Sequence, residues 1–273
     1  MEKYNRGSSG IGRAISEKLA SQGINVIIVA VADDLLPNAT SELRRDYPAL
    51  EFIPVGVDLS KPGYMEAVAT ATEGKDVQLL FCNAGFMKTG FFADVPLGLW
   101  RANSAVNVGC HVDLAHEYIN RMIRSNKKGA VIFTSSPASM LPSPFSTMYG
   151  ATKAFATEFA AGLAAEVRSS GVDVCVIHPS PVASRFYDKA HKIDEINFFK
   201  GTATTPAHLV ERVFAVVGRL VVCNQGYYPA CVSLVLKVCD WTFMVELISR
   251  IIHLTPSFQQ VHAGNKKPEN KSE

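Results

Sequence analysis

The chain has 273 residues, 48% of them hydrophobic and 19% charged, with a formal net charge of +2. That length suits one α/β domain over residues 1–273 with an ample core, and near-balanced charge without a Lys/Arg block leaves no electrostatic footprint for nucleic acid. Cys82, Cys110, Cys175, Cys223, Cys231 and Cys239 form no CxxC, which removes zinc and redox readings and predicts buried free thiols in a reducing compartment, with no metal site.

Met1-Glu2-Lys3-Tyr4-Asn5 has no apolar core of signal-peptide length, so a cytoplasmic location is expected. Gly7-Ser8-Ser9-Gly10-Ile11-Gly12 precedes a helical pattern, Ala14-Ile15 then Leu19-Ala20, that ends at Gly23. A glycine-rich turn opening a helix lets backbone N–H groups approach a pyrophosphate at the positive helix end. Asn25 to Ala30 is a β-branched run and reads as a strand, followed by Phe52 to Val57, which leads into Asp58-Leu59-Ser60. As it stands, Asp58 reads as a turn or capping carboxylate. Val77 to Cys82 is the next apolar strand, ending in Asn83-Ala84-Gly85, where small residues permit close backbone approach and the Asn83 amide can tie neighbouring strands.

A helical pattern runs from about Leu99 to Tyr118 and contains Asn107, a poor interior helix residue because its amide competes for backbone groups. His111 and His116 lie on the same stretch without a matching carboxylate pattern and read as surface or packing histidines. Ala130 to Phe133 is a buried strand that delivers Ser136 at its carboxyl end, where ligands bind in open α/β sheets. Tyr149 and Lys153 then share one helix face at i and i+4, so an exposed phenol and an ammonium point into one cleft. The positive charge favours phenolate and draws the tyrosine below its ordinary pKa of about 10. Such a pair alone is commonly just a solvated helix face.

The company it keeps is more specific. In order and spacing, the Gly7–Gly12 turn, Asn83-Ala84-Gly85, Asn107, Ser136 and the Tyr149/Lys153 pair resemble the short-chain dehydrogenase/reductase family, from about Gly7 to Ser184. The resemblance implies a Rossmann-type, doubly wound parallel sheet in three layers, with strand order 3-2-1-4-5-6. It implies that Tyr149 is the acid or base, that Lys153 binds the nicotinamide ribose and lowers the Tyr149 pKa, that Ser136 hydrogen-bonds the carbonyl oxygen, and that Asn107 holds a water on the proton path. Cofactor contacts are implied at Gly7, Ser8, Ser9, Gly10, Ile11, Gly12, Asp58 (to the adenine amino group), Leu59, Asn83, Ala84, Gly85, Tyr149, Lys153, Pro179, Val182 and Ser184.

Departures from the family pattern carry their own expectations. Asn5 and Arg6 stand where Thr and the first Gly are usual, and Met1 to Tyr4 leave at most a fragment of the first strand. Losing that central strand would leave two inner sheet edges unpaired. At the end of the second strand an acidic residue would select NAD and an arginine would favour NADP; Ala30 argues mildly for NADP, with NAD second. Val172 to Ile177 is a further strand, leading to His178-Pro179-Ser180-Pro181-Val182-Ala183-Ser184, in which Ser180 replaces the family's Gly and Ser184 its Thr. His178 reads as structural.

Residues 185–200, with Phe186, Tyr187, Phe198 and Phe199 among charges, are expected to form a lid that favours an apolar substrate. Pro206 to Val222 is a helix candidate, and Ala230 to Leu254 is an apolar stretch whose Lys237, Asp240, Glu246 and Arg250 argue against a bilayer span. It reads as a helix pair closing the pocket, a dimer face, or a helix lying on a membrane; residues 264–273 form a polar tail. The expected activity is NADP-linked reduction of a small-molecule ketone, or oxidation of the secondary alcohol, on a lipid- or steroid-like substrate. The expected setting is a homo-oligomer in the cytoplasm with peripheral membrane contact. The alternatives are an NAD-dependent alcohol dehydrogenase of the same fold and a truncated, non-catalytic product with impaired cofactor binding.

Overall fold

Alternation along two strands organises the core. In β4 (Gly129–Thr134) and β5 (Val172–Pro179), which pair in parallel, Val131, Phe133, Val174 and Val176 point to one face of the sheet. Ala130, Ile132, Cys175 and Ile177 point to the other, as the two-residue period of a strand requires. Both faces are covered, so these strands are almost continuously buried, the pattern of a parallel sheet between helical layers. The first face is closed by α5 (Cys110–Arg124) through Leu114, Tyr118 and Met122, and by α6 (Thr147–Val167) through Ala160 and Ala164. Ala156, Ala160 and Ala164, one turn apart and all buried, let α6 lie close to the sheet. The second face is closed by α7 (Pro206–Val216) through Leu209 and Val213.

The computed structural model describes residues 9–184, 186 and 203–265. Gly7, Ser8, the expected lid other than Phe186, and residues 266–273 of the expected tail lie outside the described residues. In order, the remaining elements are α1 (Gly10–Ser21), β1 (Val26–Ala30), α2 (Leu35–Asp46), β2 (Phe52–Gly56), α3 (Tyr64–Ala71), β3 (Leu79–Cys82), α4 (Leu97–Ser104), β6 (Val222–Gln225), α8 (Tyr227–Val238), α9 (Trp241–Ile251) and α10 (Pro256–Asn265). The doubly wound α/β architecture expected from the resemblance is present. Among the described residues its sheet is in two pieces, β1-β2 and β3-β4-β5-β6, all paired in parallel. The inner edges of β1 and β3 have no strand partner among those residues; Met1 to Arg6, on which the expectation of a shortened first strand falls, lie outside them.

Three expectations need correction. The helix expected over Pro206 to Val222 stops at Val216, and Val222 to Gln225 add strand β6 to the edge of β5. Gly218, at φ +77°, makes the turn between them. The helix expected from Leu99 to Tyr118 is broken by a π-turn over Ala105–Gly109. Not every cysteine is buried, since Cys231 is exposed and Cys239 half-exposed. The apolar carboxyl-terminal stretch is the helix pair α8 and α9, and no helix among the described residues is long and apolar enough to cross a membrane.

Candidate functional site

The carboxyl ends of β3, β4 and β5 meet at a cleft of about 90 Å3 lined by Ser9, Gly10, Ile11, Asn83, Gly85, Thr134, Ser136, Tyr149, Lys153, Pro179, Val182, Ser184 and Phe186. The turn into α1 approaches the segment after β5 closely. Gly10 has φ +56°, and a Cβ there would lie 3.2 Å from Ser184 Cβ, so the turn needs glycine. Asn83 ties β3 to β4, its Oδ1 accepting from the Thr134 hydroxyl at 3.0 Å.

Ser136 follows β4 and starts a short 3-10 turn, its hydroxyl accepting from the Ala138 N–H at 3.2 Å. Tyr149 and Lys153 stand one turn apart near the start of α6, and Lys153 Nζ lies 5.6 Å from the centre of the Tyr149 ring. The phenol expected to be exposed is in fact 8% exposed. Phe186 lies against it, ring centres 5.7 Å apart, and narrows the cleft. Lys153 is 4% exposed and donates to the Thr134 carbonyl at 2.7 Å. Burial pushes its pKa down to about 8, because the charged form loses hydration.

Asn107 sits in the π-turn and is fully buried. Its Oδ1 accepts from the Phe86 N–H at 3.0 Å, and its Nδ2 donates to the Phe86 carbonyl at 3.1 Å and to Thr152 Oγ1 at 3.0 Å. Asn103, one turn earlier, also donates to the Phe86 carbonyl, at 2.8 Å. The amide that weakens a regular helix thus fixes the loop after β3, and the extra residue of the π-turn accommodates it. Gly85, on that loop, is packed against both Asn107 and Lys153.

A second network supports α6 from behind. Ser135 Oγ donates to the Lys153 carbonyl at 2.8 Å, and Thr157 Oγ1 to the same carbonyl at 3.0 Å. Thr157 Oγ1 also lies 2.9 Å from His178 Nε2, and His178 Nδ1 lies 2.8 Å from Asn224 Oδ1. His178 is buried, and burial lowers its pKa, partly opposed by the bond to Asn224. The structural reading of His178 fits this placement. Thr134, Thr152, Thr157 and Asn224 are supporting residues that the sequence alone did not single out, because each has a partner on an element distant in the chain.

Ser180 occupies the place of a usual glycine because Gly226, at φ +90°, makes room for it; a side chain at 226 would collide with the Ser180 hydroxyl. Asp58 is in a turn, its Oδ1 accepting from the Ser60 N–H at 3.0 Å and from the Ser60 hydroxyl at 2.6 Å. Leu59 is buried against Phe86, Val106 and Cys110. Gly12, Leu59 and Ala84 line a different cavity, between β1 and β3, rather than the cleft. His111 is 2% exposed, which fits packing rather than surface; its pKa falls to about 3 through burial and the Lys153 charge, partly opposed by the Ala84 backbone.

The donor set and the cleft suit the nicotinamide-ribose end of a dinucleotide. An ammonium, a phenol and a serine hydroxyl line one ring-sized space, with a glycine turn at its rim. Among the described residues no group of three or more His, Cys, Asp or Glu could hold a metal ion.

Comparison with known proteins gives a family match described as short chain dehydrogenase, over residues 6–194. The 7beta-hydroxysteroid dehydrogenase of Collinsella aerofaciens is 35% identical over 170 residues, 62% of this chain and 64% of that protein. The very-long-chain 3-oxoacyl-CoA reductase of Homo sapiens is 29% identical over 182 residues, 65% of this chain and 58% of that protein. The chain thus spans less than two thirds of the length of these two relatives. A solved structure of 7beta-hydroxysteroid dehydrogenase superposes with a TM-score of 0.79 at 27% identity, covering 89% of this chain and 94% of that one.

Proposed function

The chain belongs to the short chain dehydrogenase family, and from that premise we propose that it is an NADP-linked oxidoreductase reducing a ketone on an apolar, lipid- or steroid-like substrate. The observation that carries the proposal is the convergence of Ser136, Tyr149 and Lys153 on one cleft at the carboxyl ends of β3 to β5. The bound nicotinamide supplies the hydride. Ser136 and Tyr149 hold the carbonyl oxygen, and the Tyr149 phenol delivers the proton to it. Lys153 holds the ribose and biases the phenol toward release of its proton. Asn107 keeps the loop over this centre in place and completes the proton path to solvent.

Preference for NADP rests on the end of β1. Ala30 and Val31 are buried there, and the Asp33 carboxylate accepts from the Leu35 N–H at 3.1 Å, so it serves the turn into α2. NAD remains the second choice. The apolar substrate class rests on Phe186 against Tyr149, and the similar proteins named for steroid and long-chain acyl substrates point the same way. We assign peripheral membrane contact, or a face between copies of the chain, to the apolar surface of α8 and α9, where Tyr227 is 91% and Val238 83% exposed. Residues 1–273 form one domain in this reading, placed in the cytoplasm.

The test is Tyr149→Phe, which should reduce turnover of bulky ketones at least about a thousandfold while leaving NADP affinity within a few-fold. Turnover close to that of the parent protein would refute the assignment. A second reading, a non-catalytic chain with impaired nucleotide binding, is favoured by one observation, the sheet in two pieces among the described residues. Direct titration with NADP separates the two.

A further inference from the structure

Among the described residues two non-glycine positions have a positive φ, Asn126 at 50° and Phe145 at 62°. Asparagine tolerates that left-handed region because its short amide can bond locally, whereas the Cβ of a bulky side chain crowds the following carbonyl oxygen there. An aromatic residue keeps such a conformation only where its surroundings impose it. Phe145 stands in the loop between Ser136 and Tyr149, directly before Ser146, the N-cap of α6, whose carbonyl accepts from the Gly150 N–H at 3.0 Å. Tyr149 is the third residue of that helix. The direction in which the chain leaves Phe145 therefore sets where the first turn of α6, and with it the phenol, begins.

Two sets of contacts impose the turn. The Phe145 carbonyl accepts from the Gly90 N–H at 2.7 Å, which joins this loop to the segment continuing from Asn83-Ala84-Gly85. That segment is itself fixed: Trp100 of α4 donates through Nε1 to the Phe92 carbonyl at 3.0 Å, and its ring stacks on Phe92 with centres 5.7 Å apart. The Phe145 ring, 8% exposed, meets Phe91 edge to face with centres 5.6 Å apart. Phe258 of α10 lies 5.2 Å from Phe91 and 6.2 Å from Phe145, and Val261 and Ile252 complete the cluster. Edge-to-face aromatic pairs are attractive and directional. Phe91, Phe145 and Phe258 come from three separate segments and none of them lines the cleft, so the cluster acts on the cleft through the backbone.

We propose, resting on the reading of Tyr149 as the proton donor, that Phe145 is the positioning residue for its phenol. The left-handed turn, locked by Phe91 and Phe258, aims the start of α6 so that Tyr149 meets the same oxygen as Ser136. Helix α10 thereby takes a part in the reaction without reaching the cleft.

The experiment compares Phe145→Gly with Phe145→Ala in the full chain, with α-tetralone as the bulky ketone. Glycine keeps the left-handed turn and loses only the ring, while alanine loses the ring and also disfavours the turn. The expected kcat falls about tenfold in Phe145→Gly and about a hundredfold in Phe145→Ala, with NADP affinity by direct titration within a few-fold of the parent protein in both. Phe258→Ala should resemble Phe145→Gly, and Phe258→Leu, which keeps an apolar wedge, should recover most of kcat. A residue needed only for packing gives the reverse order, since alanine retains more apolar contact than glycine and leaves the unfolded chain less entropy. That reverse order, equal kcat in the two variants, or kcat unchanged would overturn the proposal. Incorporated fluorotyrosine, its resonance at position 149 assigned with Tyr149→Phe, reads the phenol without turnover. A single line is expected in the parent protein, displaced or split most in Phe145→Ala and less in Phe145→Gly. If the parent protein leaves α-tetralone unreduced and the line still responds in this order, the reading as a ketone reductase fails while the positioning of the phenol stands. A line that neither substitution moves overturns the positioning whatever the turnover.

Discussion

Replacing Lys153 by methionine should abolish turnover yet leave the fold at least as stable at neutral pH. The buried ammonium has a pKa of about 8 in the fold against an ordinary 10.5, a gap that disfavours the folded state by roughly 3 kcal/mol near pH 7. Methionine fills a similar volume without the charge but strands the Thr134 carbonyl, which costs about 1–3 kcal/mol. The net expectation at pH 7 is between no change and about 2 kcal/mol of added stability. The pH dependence is more decisive. A depressed lysine pKa imposes its cost below about pH 8, and the cost is relieved as pH rises toward 10.5, where the unfolded chain keeps a proton that the folded one has released. Burial raises the pKa of Cys82, Cys110, Cys175 and Cys223, so the thiols act oppositely, lowering stability as pH climbs through their ordinary range. The difference between the two proteins in urea unfolding cancels the thiols. That difference should shift by roughly 2 kcal/mol in favour of the parent protein between about pH 7.5 and 10. A difference independent of pH would show that Lys153 is not the buried cation described above.

Gly150→Ala would set a methyl 2.8 Å from Ser143 Cβ and 3.2 Å from the Ala138 carbonyl; a loss of about 1–3 kcal/mol and a disproportionate fall in kcat are expected, since the displaced loop carries Ser136, and unchanged kcat would count against that link. Asn107→Ala leaves the Phe86 peptide groups without their side-chain clamp and should destabilise by about 2–4 kcal/mol in urea unfolding; a loss under about 0.5 kcal/mol would show that the clamp is dispensable. The triple substitution Val238→Ser, Trp241→Ser and Leu254→Ser, at positions 83%, 57% and 73% exposed, should abolish co-sedimentation with phospholipid vesicles if α8 and α9 contact a membrane. Unchanged vesicle binding with a fall in oligomer mass would assign the surface to contacts between copies.

Much of the site was legible because its chemistry is local in sequence. Tyr149 and Lys153 are one helical turn apart, Ser136 follows an apolar strand, and the glycine turn opens a helix, so their order and spacing, through the family resemblance, placed them together. Asn107 was legible as an amide out of place inside a helical pattern, but the π-turn that holds it was not. Strand β6 was not, because Val222 to Gln225 follow a helix without a long loop and have the composition of its continuation; the turn at Gly218 and pairing with β5 decide the outcome. Burial of Tyr149 was likewise hidden, since it depends on Phe186 reaching back from a separate segment. His111 shows the limit most clearly. The sequence left it as a surface or a packing histidine, and nothing local indicated that its ring would be buried and line a cavity.

The bonds from Asn224 through His178 and Thr157 to the Lys153 carbonyl bear on where the molecule can be divided. Residues up to about Ser184 carry all of the recognisable chemistry, and the remainder has the appearance of an appendage that a shorter gene could omit. Yet Asn224 lies on β6, inside that remainder, and anchors the residue that indexes the helix bearing Lys153. A boundary drawn after Ser184 would keep every reacting group and discard the brace that sets the register of two of them. The two parts are therefore not separable modules, and a minimal version of this protein has to extend at least through Gln225.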